Sequence, residues 1–311
     1  MSEIGTVNYA EEYSNALDQM FPYVLNFGAL YATPNNGRYR WVNAKTIEIP
    51  TIKTTGRVDA DRDTITTAKR NWSNSWEPKK LENERKWSTL VHPMDIDQTN
   101  MVATIANITN TFNEEQKFPE MDAYTVSKIY TDWLKSYNPE DADQTTRKAD
   151  ETVLSTDNIL SVFDNLMLKM DNERVPANGR ILYVTHEVKT MLKEAKNISR
   201  SISVEDGPNA IDRRINRLDE VELVGVPATL MKTTYDFTEG YKAGAEADQI
   251  NMFLVHPLAV ITPHKYEFAK LDEPSAMSEG KYVYYEESHE DVFILNNKSG
   301  AIQFNITKHV G

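Results

Sequence analysis

The spacing of apolar residues between positions 97 and 135 constrains the fold more than any other feature of this 311-residue chain. Apolar residues recur there every three or four positions, which is the period of one helix face. They are Met101, Ile105, Ile108 and Phe112, followed after Pro119 by Val126, Ile129, Tyr130, Trp133 and Leu134. Because proline removes one backbone hydrogen bond and crowds the preceding turn, we expect Pro119 to kink a long helix or to begin a second one.

The rest of the chain alternates between helix and strand signals. Residues 159–170 carry one apolar helix face, residues 180–184 have the pattern of a buried strand, and Thr185 can cap a helix over residues 186–196. Further apolar runs bounded by turn residues predict strands at 217–231, 251–262, 265–271, 281–286, 291–295 and 301–308. The sequence therefore predicts an α+β fold.

The first 95 residues differ from the rest of the chain in pattern and in charge. Residues 1–44 show little periodicity beyond a short helix expected near residues 11–20, but they are dense in aromatic residues. Residues 45–95 carry ten Lys and Arg against eight Asp and Glu, so this stretch is net basic in a chain of net charge −13. Such segments are typical of surfaces that bind a partner.

The net-basic stretch also predicts a hairpin. Apolar residues alternate over residues 45–54, where Pro50 favours an edge strand, and residues 86–91 are expected to supply the returning strand. The hairpin is either a solvated charged loop or an arm that lies on an acidic neighbouring surface, and both interpretations stay open. The candidate contact residues in the aromatic and basic segments are Trp72, Trp76, Lys79, Lys80, Arg85, Lys86, Trp87, Tyr13, Phe21 and Trp41.

Composition and hydropathy exclude several classes of protein. The chain has no cysteine, which excludes disulfides, thiolate zinc sites and iron–sulfur clusters. The net charge of −13 argues against tight wrapping of nucleic acid, because Lys and Arg supply most of the affinity for phosphates. No stretch is apolar enough for a membrane span, and the first residues lack the pattern of a secretory signal, so we expect a cytoplasmic site of synthesis and no membrane partner.

Motifs for catalysis or metal binding are missing or incomplete. Neither glycine-rich phosphate loop occurs, and the nucleophile elbow and the helical His-Glu-x-x-His pattern are also absent. Asp59, Asp61 and Asp63 copy the start of a calcium loop, but Thr64 and Arg70 stand where the glycine and the bidentate glutamate belong. We therefore expect no catalytic residue, no cofactor and no metal site.

Taken in order, several stretches of this sequence resemble the major capsid proteins of tailed bacteriophages, whose Hong-Kong-ninety-seven-type shell fold is shared with encapsulins. The resemblance lies in the order and spacing of these packing motifs and covers most of the chain. Besides the basic hairpin, the stretches are Asn8-Tyr-Ala-Glu11, Lys117-Phe-Pro-Glu-Met-Asp-Ala-Tyr124, Val175-Pro-Ala-Asn-Gly-Arg-Ile-Leu-Tyr-Val-Thr185, Val224-Gly-Val-Pro227, Leu254-Val-His-Pro-Leu-Ala-Val260 and Asp291-Val-Phe-Ile-Leu295.

The resemblance implies a domain organisation. Residues 1–44 would be an N-terminal arm and residues 45–95 an extended β-hairpin loop that reaches over an adjacent subunit. Residues 96–150 would hold the long spine helix of a peripheral domain, and residues 151–262 would form an axial domain. Residues 263–311 would supply strands that return to these domains.

The resemblance also implies a function. The chain would self-assemble into pentamers and hexamers of an icosahedral head that encloses the phage dsDNA genome without sequence-specific binding, and it would reside in the virion after synthesis in the bacterial host cytoplasm. The candidate contact residues would then be subunit contacts. Because the segment before the hairpin is too short to include a fused scaffold, a separate scaffolding protein is implied, together with a portal protein and an optional decoration protein.

Three other interpretations remain open. An encapsulin-like compartment shell shares the fold, and a phage tail or baseplate protein would also oligomerise through an aromatic arm. A carboxylate-based hydrolase would need a paired acid and base, for which the acidic clusters at 140–143 and 286–291 are the candidates. Dense charge runs beside turns are more typical of solvated surface, so the sequence predicts a structural protein rather than an enzyme.

Overall fold

The computed structural model describes residues 23–57, 59, 70–99, 103–136, 147–195 and 215–309. The helices, labelled in chain order, are α1 (Gly28–Tyr31), α2 (Pro93–Gln98), α3 (Ile105–Phe112), α4 (Phe118–Leu134), α5 (Ile159–Asn172) and α6 (His186–Glu194). The strands are β1 (Arg40–Asn43), β2 (Thr46–Thr54), β3 (Trp72–Lys80), β4 (Glu84–Val91), β5 (Ile181–Thr185), β6 (Arg217–Leu218), β7 (Val221–Val226), β8 (Tyr235–Asp236), β9 (Lys242–Ala243), β10 (Gln249–Val255), β11 (Val260–Ile261), β12 (His264–Asp272), β13 (Tyr282–Glu290), β14 (Phe293–Ile294) and β15 (Ile302–Thr307). This mixture confirms the predicted α+β class.

A five-stranded sheet of order β15-β10-β5-β7-β6 forms the centre of the molecule. Only the β5–β7 pair is parallel. Because successive side chains of a strand point to opposite faces, Leu182 and Val184 of β5 pack against α5 and α6, whereas Tyr183 packs with residues of α4. Helices therefore cover both faces of the sheet, and all five residues of β5 are buried.

The predicted long helix is present, with a distortion immediately before Pro119. A π-helical stretch, Asn113–Lys117, joins α3 to α4 without a break, and Lys117 keeps helical angles of φ −63° and ψ −53°. A π turn bonds each N–H to a carbonyl five residues back, which lets the helix continue past a residue that has no N–H. The predicted inner face at Val126, Ile129 and Trp133 is buried against the central sheet.

The predicted helix over residues 186–196 begins as expected. The Thr185 hydroxyl accepts a hydrogen bond from the Val188 backbone N–H at 3.3 Å, as the cap prediction required. The helix α6 ends at Glu194, and residue 196 lies outside the described residues. In the described part of the chain, no helix is long and apolar enough to cross a membrane.

The hairpin forms, but one of its predicted strands is wrong. The strand β2 pairs antiparallel with β3, in register from Thr46 opposite Lys80 to Thr54 opposite Trp72, and its first residues also pair with β1. The predicted returning strand at residues 86–91 is part of β4, which pairs instead with β13. The reason is long-range packing: Trp87 of β4 stacks on Phe112 of α3, with ring centroids 3.9 Å apart, and this contact fixes β4 beside the helix.

A second antiparallel sheet, of order β12-β13-β4, lies beside the junction of α3 and α4. The Lys117 ammonium is 3.2 Å from the Glu286 carboxylate of β13, and Arg85 of β4 forms an ion pair with Glu120 of α4 at 2.6 Å. These two ion pairs, together with the Trp87 stack, hold the second sheet against the helix.

Candidate subunit-contact surfaces

The described chain begins with a segment that is anchored in the core. The backbone N–H groups of Asn26 and Phe27 donate to the buried carboxylate of Asp122 at 2.8 and 3.2 Å, and the Tyr23 hydroxyl donates to the same carboxylate. Burial raises the pKa of Asp122, while these hydrogen bonds oppose the shift. Phe27 is fully buried, 4.6 Å from the ring of Tyr183. Residues 23–27 are therefore held against the packed core of the chain.

The β2–β3 hairpin, here called the ribbon (residues 46–54 and 72–80), is buried only at its base. Ile47 and Ile49 pack into a small cluster with Leu81, whereas the distal part of the ribbon is exposed. Beyond the base, where β1 pairs with β2, the ribbon has two strands only, and a two-stranded ribbon without a covered face is marginally stable in water. The ribbon is thus the described element that most needs a partner.

The distal ribbon has one aromatic and apolar face. The register places Trp76 opposite Pro50, and Trp72 opposite Thr54, on the same face as Ile52. Trp72 is 49% exposed, Trp76 is 40% exposed and Ile52 is 70% exposed. The opposite face carries polar residues such as Thr51, Lys53, Ser73 and Ser75. This alternation makes the first face, which we call the tryptophan face, a surface suited to burial.

Cations cover part of the tryptophan face. The Arg40 guanidinium lies 3.8 Å from the centre of the Trp76 ring and is also paired with Glu48 at 2.8 Å. The Arg70 guanidinium lies 4.5 Å from the centre of the Trp72 ring. Contacts of this kind contribute about 0.5–1 kcal/mol at exposed sites, so they orient the rings without burying them.

The four basic contact candidates divide into two groups. The Lys79 ammonium is 2.9 Å from Glu77 and 3.4 Å from the Asn296 side-chain oxygen, and Arg85 is paired with Glu120. Lys80 and Lys86, by contrast, are exposed. Lys79 and Arg85 therefore have roles within the chain, whereas Lys80 and Lys86 present their charge to solvent.

Two of the aromatic contact candidates pack within the chain. Trp87 stacks on Phe112, as described above, and is only half-buried. Trp41 of β1 contacts Tyr39 edge-on at 5.8 Å, with the Lys265 ammonium 4.8 Å from the centre of its ring. Of the candidates that the structure describes, Trp72 and Trp76 are the pair that it brings together on one exposed face.

Several residues from the sequence analysis fall outside the described residues. They include the contact candidates Tyr13 and Phe21, the calcium-loop residues Asp61 and Asp63, the helix expected near residues 11–20 and the acidic cluster at 140–143.

The second acidic cluster has structural contacts. Glu286 accepts a hydrogen bond from the Tyr284 hydroxyl at 2.9 Å and pairs with Lys117, and Asp291 accepts one from the Tyr124 hydroxyl at 2.8 Å. Burial, together with the bond to Glu286, raises the pKa of Tyr284 to about 12, so the hydroxyl remains a donor. Among the described residues, no group of His, Cys, Asp or Glu side chains is arranged to hold a metal ion.

The sequence analysis missed an exposed apolar region at the far end of the second sheet. Leu90, Leu271 and Met277 are exposed there, and Met277 is 96% exposed at the tip of the turn between β12 and β13. The turn is ordered by internal hydrogen bonds between Ser275 and Ser278. The sequence signal was the Met within a polar turn, which becomes informative only once the strand pairing is known.

Comparisons with known proteins identify solved structures that share this architecture. No family model matches the sequence, and no curated protein matches it. Solved capsid structures do match along nearly the whole chain. The mature capsid of bacteriophage PhiM1 is 12% identical over 97% of this chain and 92% of its own, with a TM-score of 0.67.

Two further structures agree. The capsid of cyanophage P-SCSP1u is 11% identical over 97% of this chain and 93% of its own, with a TM-score of 0.68. The capsid of a native GTA particle is 12% identical over 96% of this chain and 95% of its own, with a TM-score of 0.62. The chain therefore has the Hong-Kong-ninety-seven-type shell fold of tailed-phage capsids, as the sequence resemblance predicted.

Proposed function

We propose that this chain is a major capsid protein, which assembles into the pentamers and hexamers of an icosahedral phage head. The observation that carries the proposal is the match to capsid structures over 97% of the chain. A closed shell requires one chain to make several kinds of contact with its copies, and a projecting ribbon supplies such a contact.

The tryptophan face gives this proposal its energetic basis. Trp72 and Trp76 are roughly half-exposed, so each ring has on the order of 100 Å² left to bury, which corresponds to about 2.5 kcal/mol. Trp and Arg are also the residues that contribute most at protein interfaces. In this proposal the tryptophan face of one copy packs on a neighbouring copy, and Lys80 and Lys86 lie at the rim of the contact.

The remaining partners follow from the same proposal. The head encloses dsDNA without sequence-specific contacts, in keeping with the net charge of −13. A separate scaffolding protein guides assembly in the bacterial cytoplasm, and a portal protein and an optional decoration protein complete the virion. In the proposed role the chain has no catalytic activity.

Expression of the chain alone tests the function directly. We expect closed shells, or flat hexamers and pentamers, in negative-stain electron microscopy and in parallel mass measurements. Co-expression with the scaffolding protein should make the shells more regular. A stable monomer at high concentration, with and without the scaffolding protein, would contradict the proposal. Particles that hold a protein cargo instead of dsDNA would identify an encapsulin-like compartment.

A further inference from the structure

A cleft of about 280 Å³ lies between the base of the ribbon and the turn that follows β14. Its apolar lining is formed by Tyr39, Ile49, Pro50, Ile52, Ile261 and Leu295. The cleft adjoins the tryptophan face, with which it shares Pro50 and Ile52, and it has room for an aromatic side chain.

One wall of the cleft carries two cations, Arg38 and Lys298. The Lys298 ammonium donates to the Leu258 carbonyl at 3.0 Å, and both burial and the nearby Arg38 lower the pKa of Lys298. No carboxylate among the described residues forms an ion pair with either cation. The carboxylate in the cleft lining, Glu77, is paired with Lys79 at 2.9 Å. The cleft therefore combines an apolar interior with net positive charge.

A segment of this chain has the complementary chemistry. Residues 1–22 contain no Lys or Arg. They contain four carboxylates and three aromatic side chains, which are Glu3, Glu11, Glu12, Asp18, Tyr9, Tyr13 and Phe21. The segment ends at Tyr23, which is held on Asp122, and 22 residues span at most about 70 Å when extended. Arg38 of the cleft is 15 positions after Tyr23 and so lies within about 54 Å of it. The segment is thus long enough to reach the cleft.

We propose that the cleft binds residues 1–22 of this chain, with an aromatic side chain in the apolar interior and carboxylates on Arg38 and Lys298. The feature of the segment that the cleft recognises is an aromatic residue among acidic residues. The proposal goes beyond the capsid function, because it holds for a single chain as well as for an assembly.

Disulfide trapping in the full-length protein tests this proposal, since the chain has no cysteine of its own. Tyr13→Cys is combined with Ile52→Cys at the cleft or, as a control, with Met277→Cys in the turn between β12 and β13, which is the more exposed of the two sites at 96% against 70%. The same pairs are made with Tyr9→Cys and with Phe21→Cys, because any of the three aromatic residues of the segment could be the one that lies at the cleft. We expect at least one cleft pair to oxidise roughly tenfold faster than its Met277 control.

Charge exchange then tests the recognition itself. Arg38→Glu with Lys298→Glu should slow the fastest cleft pair at least about fivefold, and Glu11→Lys with Glu12→Lys in the same protein should restore much of the rate. Circular dichroism confirms that each variant is folded. Equal oxidation rates at Ile52 and Met277 for every pair would overturn the proposal, and so would a rate that charge reversal leaves unchanged.

Discussion

The central strand β5 and the ribbon strand β3 are both regular β-strands, yet they have opposite surroundings. All five residues of β5 are buried between helices, whereas β3 is mostly exposed on both of its faces. The sequences show the cause, because the first four residues of β5 are aliphatic or aromatic, whereas β3 has two tryptophans among Ser, Asn and Lys. The stability of the chain is thus concentrated in the central sheet, and the ribbon depends on what it contacts.

The largest expected effect lies in the ribbon and concerns assembly. Replacing Trp72 and Trp76 by Ser should weaken each subunit contact by about 5 kcal/mol, which is the sum for two half-exposed rings. We expect shells to disappear from negative-stain images while the urea midpoint of the isolated chain changes little. The control is Thr51→Ala with Ser75→Ala on the opposite face, and equal loss of assembly from both double variants would contradict the assignment.

The next largest effect is expected in the core of the central sheet. Phe253 is fully buried and stacks on Phe304 with ring centroids 4.7 Å apart. Phe253→Ala should lower the free energy of unfolding by about 4 kcal/mol, because it removes the ring and leaves a cavity. Urea denaturation of the unassembled chain measures this loss. A loss no larger than that from Trp76→Ala would erase the contrast between sheet and ribbon.

A pair of glycines sharpens the same contrast. A Cβ atom on Gly300 would overlap the Glu173 carboxylate, which forms a two-bond ion pair with the buried Arg147 at 2.6 and 2.8 Å. Gly300→Ala should therefore destabilise the chain by about 3 kcal/mol. Gly56 follows β2, where a Cβ meets nothing within 4 Å, so Gly56→Ala should leave the urea midpoint unchanged.

The smallest expected effects are two pH dependences of opposite sign. Burial lowers the pKa of His256, so its contribution to stability is complete above about 6.5 and is lost as the pH falls below that value. A hydrogen bond to Glu290 raises the pKa of His264, so its contribution is complete below about 6.5 and is lost as the pH rises.

Each histidine contributes less than about 1 kcal/mol, because His264 is half-exposed and His256 is shifted mainly by burial. Urea unfolding between pH 5 and 8 should show that His256→Gln removes a slope that rises with pH, and that His264→Gln removes one that falls. Slopes of the same sign in the two variants would refute this assignment.

The sequence was sufficient for elements whose pattern is local. The helix face at Val126, Ile129 and Trp133, the buried strand β5 and the Thr185 cap all follow from spacing or from a neighbouring residue, and the structure confirms them. These features need no knowledge of distant parts of the chain.

Features that depend on distant pairing could not be predicted in this way. The pairing of β4 with β13 joins residues about 200 positions apart, and Asp122 holds a segment 95 to 99 positions earlier. The cleft is likewise formed by residues from the ribbon and from the turn after β14. Local periodicity reports which face of an element is buried, but it does not report the surface that buries it.

The most direct test of the contrast between sheet and ribbon is a cryo-electron microscopy reconstruction of the assembled particle. We expect the central sheet to match the isolated chain, with Trp72 and Trp76 buried against a neighbouring copy. A closed shell in which the tryptophan face still points into solvent would contradict the assignment of the ribbon as the subunit contact.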